Sequence, residues 1–270
     1  MVVTKYNVIN AINSLSLNNK CVCVHSSLKS FGHVEGGAKT VVDAFLESGC
    51  TLLAPAFPLS FGIPPLVKIE RNGLDYINFG KEPNHQRVFT TESNEITGCF
   101  MGAIPCEIIQ NKEKKRGYHP LNSFVALGPM ANELVSEQSE IDVYLPFKML
   151  RELNGSIILM GVNLDKMTAI HYAEQLAGRN LFIHWANDIN GNPMKILVGG
   201  CSKGFNRLET ILDNIEQKCR VGNSLWRVFP ANETISLCAN AIKHNPKITH
   251  CPNPDCIQCN DIISGGPIIN

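Results

Sequence analysis

The stretch "GSIILMGVNLDKMTAIHYAEQ", residues 155–175, decides how this chain folds. Its first part, Ile157 to Met160, is a short unbroken apolar run held between Gly155 and Gly161. Such a run, rich in isoleucine and stopped by glycine, reads as a buried strand. The second part reads as a helix starting near Thr168, with His171 in its first turn and Glu174 one turn on, on the same face. A strand that empties through a loop into a helix is the repeating unit of α/β proteins. In open sheets of that class ligands gather at the carboxyl ends of strands, which makes the intervening "NLDKMT" a candidate site.

The same alternation extends in both directions. Toward the N-terminus, Asn7 to Leu17 is amphipathic enough for a helix, and "KCVCVHSS", residues 20–27, is a buried strand ending in a polar loop. Ala38, Val41, Val42, Phe45 and Leu46 recur at helical spacing, which predicts a helix from about Gly37 to Ser48 with Gly49 as its stop. "CTLLAPAFPLS", residues 50–60, is the next strand, closed by Pro55 and Pro58, so the order is strand, helix, strand, the signature of a parallel crossover. Residues 61–89 are rich in Pro, Gly and Asn and read as a long loop, a length that usually serves function. Further on, "TGCFMGAIPCEIIQNK" reads as a helix, "SFVALGP" as a strand, "MANELVSEQ" as a helix and "MKILVGG" as a strand. "NRLETILDNIEQK", residues 206–218, reads as a helix, and "LWRVFPANETISLCANAIKHN" as a strand running into one. The expected fold is α/β, a single domain over residues 1–270 with a mixed β-sheet flanked by helices on both faces.

With 44% hydrophobic residues in 270, the chain has ample material for a core. Its formal charge is zero, so no global field favours nucleic acid or an anionic membrane, and any charge selectivity must be local. The N-terminus lacks a basic start followed by an apolar segment, and no window approaches a membrane span, so a cytoplasmic location is expected. Eleven cysteines, an odd number, then read as reduced thiols packed as small hydrophobes. The tail "HCPNPDCIQC" stands apart: Cys256 and Cys259 have zinc-knuckle spacing, and His250 or Cys251 could complete a site, although a second C-x-x-C or His pair is missing. A thiol-rich terminal loop is the plainer reading.

Three constellations could carry chemistry. In the first, His171 held by Glu174 would make a general base, since a carboxylate fixes the tautomer and supports the imidazolium; Thr168 and the helix N-terminus beside it would stabilise an oxyanion. A solvated polar helix face explains the same spacing. In the second, "VHSSLKSFG", residues 24–32, Ser26, Ser27 and Ser30 form a polar cradle with Lys29 as a phosphate partner, or else a helix-capping turn. In the third, "KKRGYHPLNSFVALG", His119 sits in an extended turn before Pro120, behind the basic run Lys112, Lys114, Lys115 and Arg116. That run is either a solvated loop or an attractor for polyphosphate. There is no phosphate-loop or dinucleotide glycine pattern and no G-x-S-x-G, which excludes the familiar nucleotidases, dehydrogenases and serine hydrolases.

These segments, in this order, resemble the aminoglycoside 3-N-acetyltransferase family. Its H-x-S-L-R-S-x-G opening appears as "HSSLKSFG" ahead of a Gly-Gly helix, and its G-T-L-x-x-P-x-F strand as "CTLLAPAF". Its R-S-x-H-P-x-x-S-F-x-x-x-G appears as "RGYHPLNSFVALG", and its G-V-x-x-D-x-N-T-x-x-H-x-A-E as "GVNLDKMTAIHYAE". Beyond residue 174 the match is loose, with "CIQCNDIISGGP" as its clearest part. The resemblance implies acyl transfer from acyl-coenzyme A, a co-substrate, to a primary amine by direct attack, with no metal or redox cofactor required. It implies His171 as base, Asp165 or Glu174 as its orienting group or as a contact to the amino sugar, and Thr168 beside the thioester. The donor's pantetheine and phosphates would be held by His25, Ser26, Ser27, Leu28, Lys29, Ser30 and Phe31 in one loop, and by His119 and Ser123 in another.

The departures from the pattern bear on the acceptor. Where the family commonly has histidine and asparagine before the catalytic helix, this chain has Leu164 and Met167; Lys29 replaces an arginine, and Gly117 and Tyr118 stand before His119. Neutral charge also fits poorly with gripping a polycation. The expectation is therefore an N-acyltransferase acting on a small amino-sugar acceptor, a nucleotide-linked amino sugar ahead of an aminoglycoside, as monomer or homodimer. The basic run would attract the diphosphate, and Leu164 and Met167 would line a pocket for a bulkier acyl group. From other classes, a non-catalytic ligand-binding relative and a zinc-stabilised interaction protein remain as alternatives.

Overall fold

The computed structural model describes residues 2–76, 87–97 and 101–268. In chain order the N-terminal part forms β1 (Val2–Val3), α1 (Lys5–Ser14), β2 (Cys21–Ser26), β3 (His33–Val34), α2 (Gly37–Glu47), β4 (Thr51–Pro55) and β5 (Gly62–Ile63). The middle forms α3 (Ala103–Gln110), β6 (Lys115–Arg116), β7 (Phe124–Leu127), α4 (Ala131–Val135), α5 (Leu145–Glu152), β8 (Ser156–Met160) and α6 (Ala169–Leu176). The remainder forms β9 (Phe182–Asn187), β10 (Pro193–Val198), α7 (Glu209–Leu212), β11 (Gln217–Val221), β12 (Ser224–Pro230), α8 (Ala231–His244) and α9 (Ile257–Ile263).

Seven strands make one mixed sheet in the order β11-β12-β8-β2-β4-β7-β6. Its centre is parallel, β8 with β2 and β2 with β4, and its outer pairs are antiparallel. Successive side chains on a strand point to opposite faces, and both faces are apolar. Val22, Val24, Leu52, Ala54, Ile158 and Met160 join α1, α2 and α3 in one core. Cys21, Cys23, Leu53, Ile157 and Leu159 join α4, α5, α6 and α8 in the other. A smaller sheet, β10-β9-β5, lies outside this one. The sequence expectation of a mixed α/β sheet covered on both faces holds.

The connections also place the site. The helix after β2, α2, packs into the first core, whereas the helix after β8, α6, packs into the second. Two adjacent parallel strands thus send their chains to opposite faces, which opens a crevice at their carboxyl ends. The register aligns His25 with Leu159 and Ser26 with Met160, and Ser27 N–H donates to the Met160 carbonyl at 2.9 Å. "HSSLKS" and "NLDKMT" therefore leave the sheet side by side.

Several local expectations differ from the structure. Residues 206–218 do not form one helix: α7 has a single turn, followed by a 3-10 turn (Asp213–Ile215) and β11. Arg227 on β12 explains the break, because it pairs with Glu209 before the 3-10 turn and with Glu216 after it. β11 and β12 form a hairpin whose Val221–Ser224 pair brackets Gly222-Asn223, a turn signal the sequence carried. β9 and α5, for which the sequence offers no clear period, are regular elements. The long loop over 61–89 contains β5 and a bridge from Val88 to Asn187, with residues 77–86 outside the described ones. The helix read over 97–112 is α3; its expected residues 98–100 also lie outside the described ones.

Candidate active site

His171 sits in the first turn of α6 with its Nδ1 2.8 Å from Glu174 Oε2, and both side chains are buried. The i,i+3 spacing turns both toward the sheet, so the pair is not a solvated helix face. Glu174 is itself held. Its Oε1 accepts from Arg179 and, at 3.3 Å, from Thr249 Oγ1. Arg179 also donates to Thr249 Oγ1 at 2.8 Å and to the Pro246 carbonyl. The end of α6 brings Arg179 there: Gly178, at φ +95°, lets Gly178 N–H donate to Gln175 and Arg179 N–H to Glu174, a Schellman cap that folds the chain back. The imidazole is clamped between aromatic rings, Tyr144 stacked at 6.0 Å and Phe205 edge-on at 4.8 Å. Gly199 lies against its edge, where a Cβ would come within 2.7 Å of His171 Cγ and closer still to the Tyr144 hydroxyl. With Nδ1 committed to the carboxylate, Nε2 is the nitrogen left to serve the cavity that His171 lines.

That cavity measures about 960 Å³ and fills the crevice. His171, Thr168 and Asp165 line one side; His25, Ser26, Ser27, Leu28 and Lys29 line another. Several of these groups have hydrogen-bonding capacity to spare. Ser26 Oγ is buried without a hydrogen-bond partner, and Thr168 at the start of α6 makes no side-chain cap. Burial pushes the His25 imidazole down to about 3, so it is neutral near pH 7. Asp165 pairs with neighbouring Lys166 at 3.1 Å, which leaves Lys29 as the unpaired cation of the described wall. The wall suits an anionic ligand on the Lys29 side, with the histidine-carboxylate pair opposite.

The family model described as aminoglycoside 3-N-acetyltransferase matches residues 23–242. The chain belongs to that family. A relative, aminoglycoside N(3)-acetyltransferase III of Salmonella sp, is 32% identical over 161 residues, which are 57% of this chain and 54% of that protein. The match thus spans about half the length of that relative. Among solved structures, an aminoglycoside acetyltransferase AAC(3)-IVa mutant in complex with a gentamicin is similar with a TM-score of 0.77 at 20% identity, covering 98% of each chain. AAC-IIIb in a binary complex with CoASH is similar with a TM-score of 0.72 at 19% identity, covering 94% of this chain and 100% of that one. At such identities these structures establish the shared fold.

Within this fold, four residues expected around the donor are not among those that line the cavity. Ser30 donates to the Ser27 carbonyl at 2.6 Å and meets Ser224 Oγ at 2.7 Å, which pins its loop to β12. Phe31 is fully buried against Trp226, edge to face at 5.8 Å. His119 is fully buried, its Nε2 2.9 Å from the Leu197 carbonyl while Nδ1 accepts from Asn122 N–H at 2.8 Å; it braces its own turn. Ser123 accepts from Arg116 Nε at 3.0 Å and donates to the Ala56 carbonyl at 2.9 Å. Of the expected basic run, Lys112 and Lys115 are exposed and Lys114 is half-buried, whereas Arg116 is withdrawn from it. Arg116 is buried and spends its guanidinium on the carbonyls of Ala56, Ser93 and Glu95, with burial pushing it down to about 10. Leu164 and Met167 are fully buried beneath the loop in the second core and are not among the residues lining this cavity. Tyr144, Gly199 and Thr249 escape a sequence reading, because none shares a segment with His171, and Arg179, in the same segment, is brought back only by the cap at Gly178. The glycine pair after the apolar run of β10 is the one available signal, since it marks close backbone approach.

Proposed function

We propose that the chain is a coenzyme-A-dependent N-acetyltransferase that acylates a primary amine of an aminoglycoside. The observation that carries this is the His171–Glu174 pair on the wall of a cavity whose other side is the "HSSLK" loop. Family membership supports it, as do the aminoglycoside N(3)-acetyltransferase relative and the gentamicin and CoASH complexes of the similar structures. The nucleotide-linked amino sugar favoured by the sequence is the weaker reading, because Leu164 and Met167 form core and the basic run loses Arg116 to the interior, keeping only its lysines. The aminoglycoside alternative takes its place.

The residues divide the work by position. Ser26, Ser27 and Lys29, all with donors to spare, face the anionic and polar parts of the donor. Coenzyme A supplies the acyl group as a thioester, whose thiol is the leaving group. His171 Nε2 accepts a proton from the acceptor amine as its nitrogen bonds to the acyl carbon, and Glu174 supports the resulting imidazolium. The Thr168 hydroxyl and the α6 N-terminus, on the cavity wall, would stabilise the negative charge that develops on the acyl oxygen. Asp165 offers the cavity a carboxylate for the cationic acceptor.

Thiol release from acetyl-coenzyme A, measured against a panel of aminoglycosides and of dTDP- and UDP-linked amino sugars, tests the reading. Turnover with aminoglycosides is expected, reduced about 10²–10⁴-fold in His171→Ala, the range a general base contributes. Turnover with nucleotide sugars alone would overturn the acceptor class. Undiminished turnover in the variant would overturn His171 as the base.

A further inference from the structure

Cys201, Cys251, Cys256 and Cys259 converge outside the cavity, their sulfurs all within 4.8 Å of one another. The sequence places the last three together; the fold adds Cys201, which follows the Gly199-Gly200 pair after β10. A tetrahedral zinc with Zn–S bonds of about 2.3 Å needs sulfurs about 3.8 Å apart, so the cluster is a slight contraction away from a closed ligand set. His250, a candidate ligand from the sequence, is turned to other work. Its Nδ1 lies 2.7 Å from the Cys251 carbonyl and its Nε2 3.0 Å from Asn260 Oδ1. Cys251 N–H donates to Cys259 Sγ at 3.4 Å, the kind of contact that supports a coordinating thiolate. Cys251 and Cys259 are buried, and Cys201 and Cys256 half-buried, so the set is shielded on one side and reachable from the other.

We propose that these four cysteines bind one structural zinc ion that staples the C-terminal segment to the loop behind the catalytic histidine. Four thiolates in a tetrahedral arrangement select zinc or iron over hard cations, and a closed set of four cysteine ligands leaves no open position for substrate. On binding, each thiol gives up its proton to solvent and its sulfur becomes a ligand, with no change of oxidation state. The consequence for the site follows from chain distance. Cys201 is two residues beyond Gly199, which abuts the His171 ring, and Cys251 is two beyond Thr249, which holds Glu174 and Arg179. Between them, Gly204 packs directly on the backbone of Thr249 and His250. The metal therefore braces both partners of the dyad from behind while taking no part in the chemistry, and its existence does not depend on the acceptor proposed above.

Metal analysis of the whole chain, purified without chelator, decides the matter. One zinc per chain is expected, retained in His250→Ala and lost or strongly weakened in Cys201→Ser. Exchange for cobalt should give the visible bands and thiolate charge transfer of a tetrahedral sulfur site in the wild type. Should Cys201→Ser fail to fold, the wild-type zinc count and cobalt spectrum still decide. A wild-type protein free of zinc with four reactive thiols, or with disulfides among them, would overturn the proposal, and stoichiometric iron would overturn the choice of metal.

Discussion

His171 is positioned by groups that act on different parts of its ring: Glu174 fixes Nδ1, Tyr144 and Phe205 fix the plane, and Gly199 sets how closely the β10 loop approaches the edge. Gly199 is the most informative of these to change, because a methyl group there meets Tyr144 and His171 together. Gly199→Ala is expected to lower kcat with little effect on acetyl-coenzyme A affinity, at a stability cost of about 1–3 kcal/mol for overpacking. Steady-state kinetics with a thermal melt would show it, and wild-type kcat would mean the ring does not depend on that contact. At this scale sequence reading succeeds where partners sit within one helical turn, as His171 and Glu174 do. It fails for Thr249, 75 residues from Glu174, because only the tertiary fold brings it to that carboxylate. Ser30 and Ser123 show the converse error. A serine in a site-like motif hydrogen-bonds equally well to its own loop, as Ser30 does, or to a neighbouring strand end, as Ser123 does to Ala56, and nothing in the local sequence separates these uses from a ligand contact.

α6 depends on its ending as much as on its start. The Schellman cap at Gly178 directs Arg179 back toward Glu174, so the backbone at the end of the helix helps to build the site at its beginning. A Cβ at Gly178 would meet nothing within 4 Å, so a substitution there strains the backbone alone. Gly178→Ala is expected to cost about 1–2 kcal/mol, the penalty of a left-handed conformation for an L-residue, read from the urea midpoint. Its effect on kcat should be much smaller than that of Gly199→Ala, and a larger one would place the cap itself in the catalytic geometry. Elements with one dominant period, β2, α2, β4 and β8, are legible from their apolar spacing. The segment 206–218 is not, since its helical pattern is overridden by Arg227, which draws Glu209 and Glu216 to a strand that follows them. β9 is lost for a related reason: its partner β10 makes it a strand, and pairing is a long-range property.

Across the whole molecule, the chain is electrically neutral yet buries imidazoles that cannot easily take a proton. Burial pushes His25 down to about 3, His119 to about 4 and His184 to about 4, against 6.5 for the free side chain. In the unfolded chain all three protonate as pH falls through 6.5, while in the folded chain they stay neutral until near 4. The unfolded state therefore binds more protons over that window, and folding stability present above pH 6.5 is lost as pH falls toward 4. Each group contributes a slope of at most about 1.4 kcal/mol per pH unit, and carboxylates enter only at the lower end of the range. His119 has a structural reason for its share, since its Nδ1 accepts two backbone N–H bonds that a protonated ring would forfeit. Urea unfolding at about pH 7 and about pH 5 is expected to show a clearly lower midpoint at the acidic value. His119→Gln should be less stable near neutrality but lose less on acidification, because one of the three buried histidines that take up a proton only on unfolding is gone. Equal midpoints at the two pH values would mean that these histidines take up protons as readily in the folded protein as in the unfolded chain, and that His25 beside the cavity is charged at about pH 5 rather than neutral.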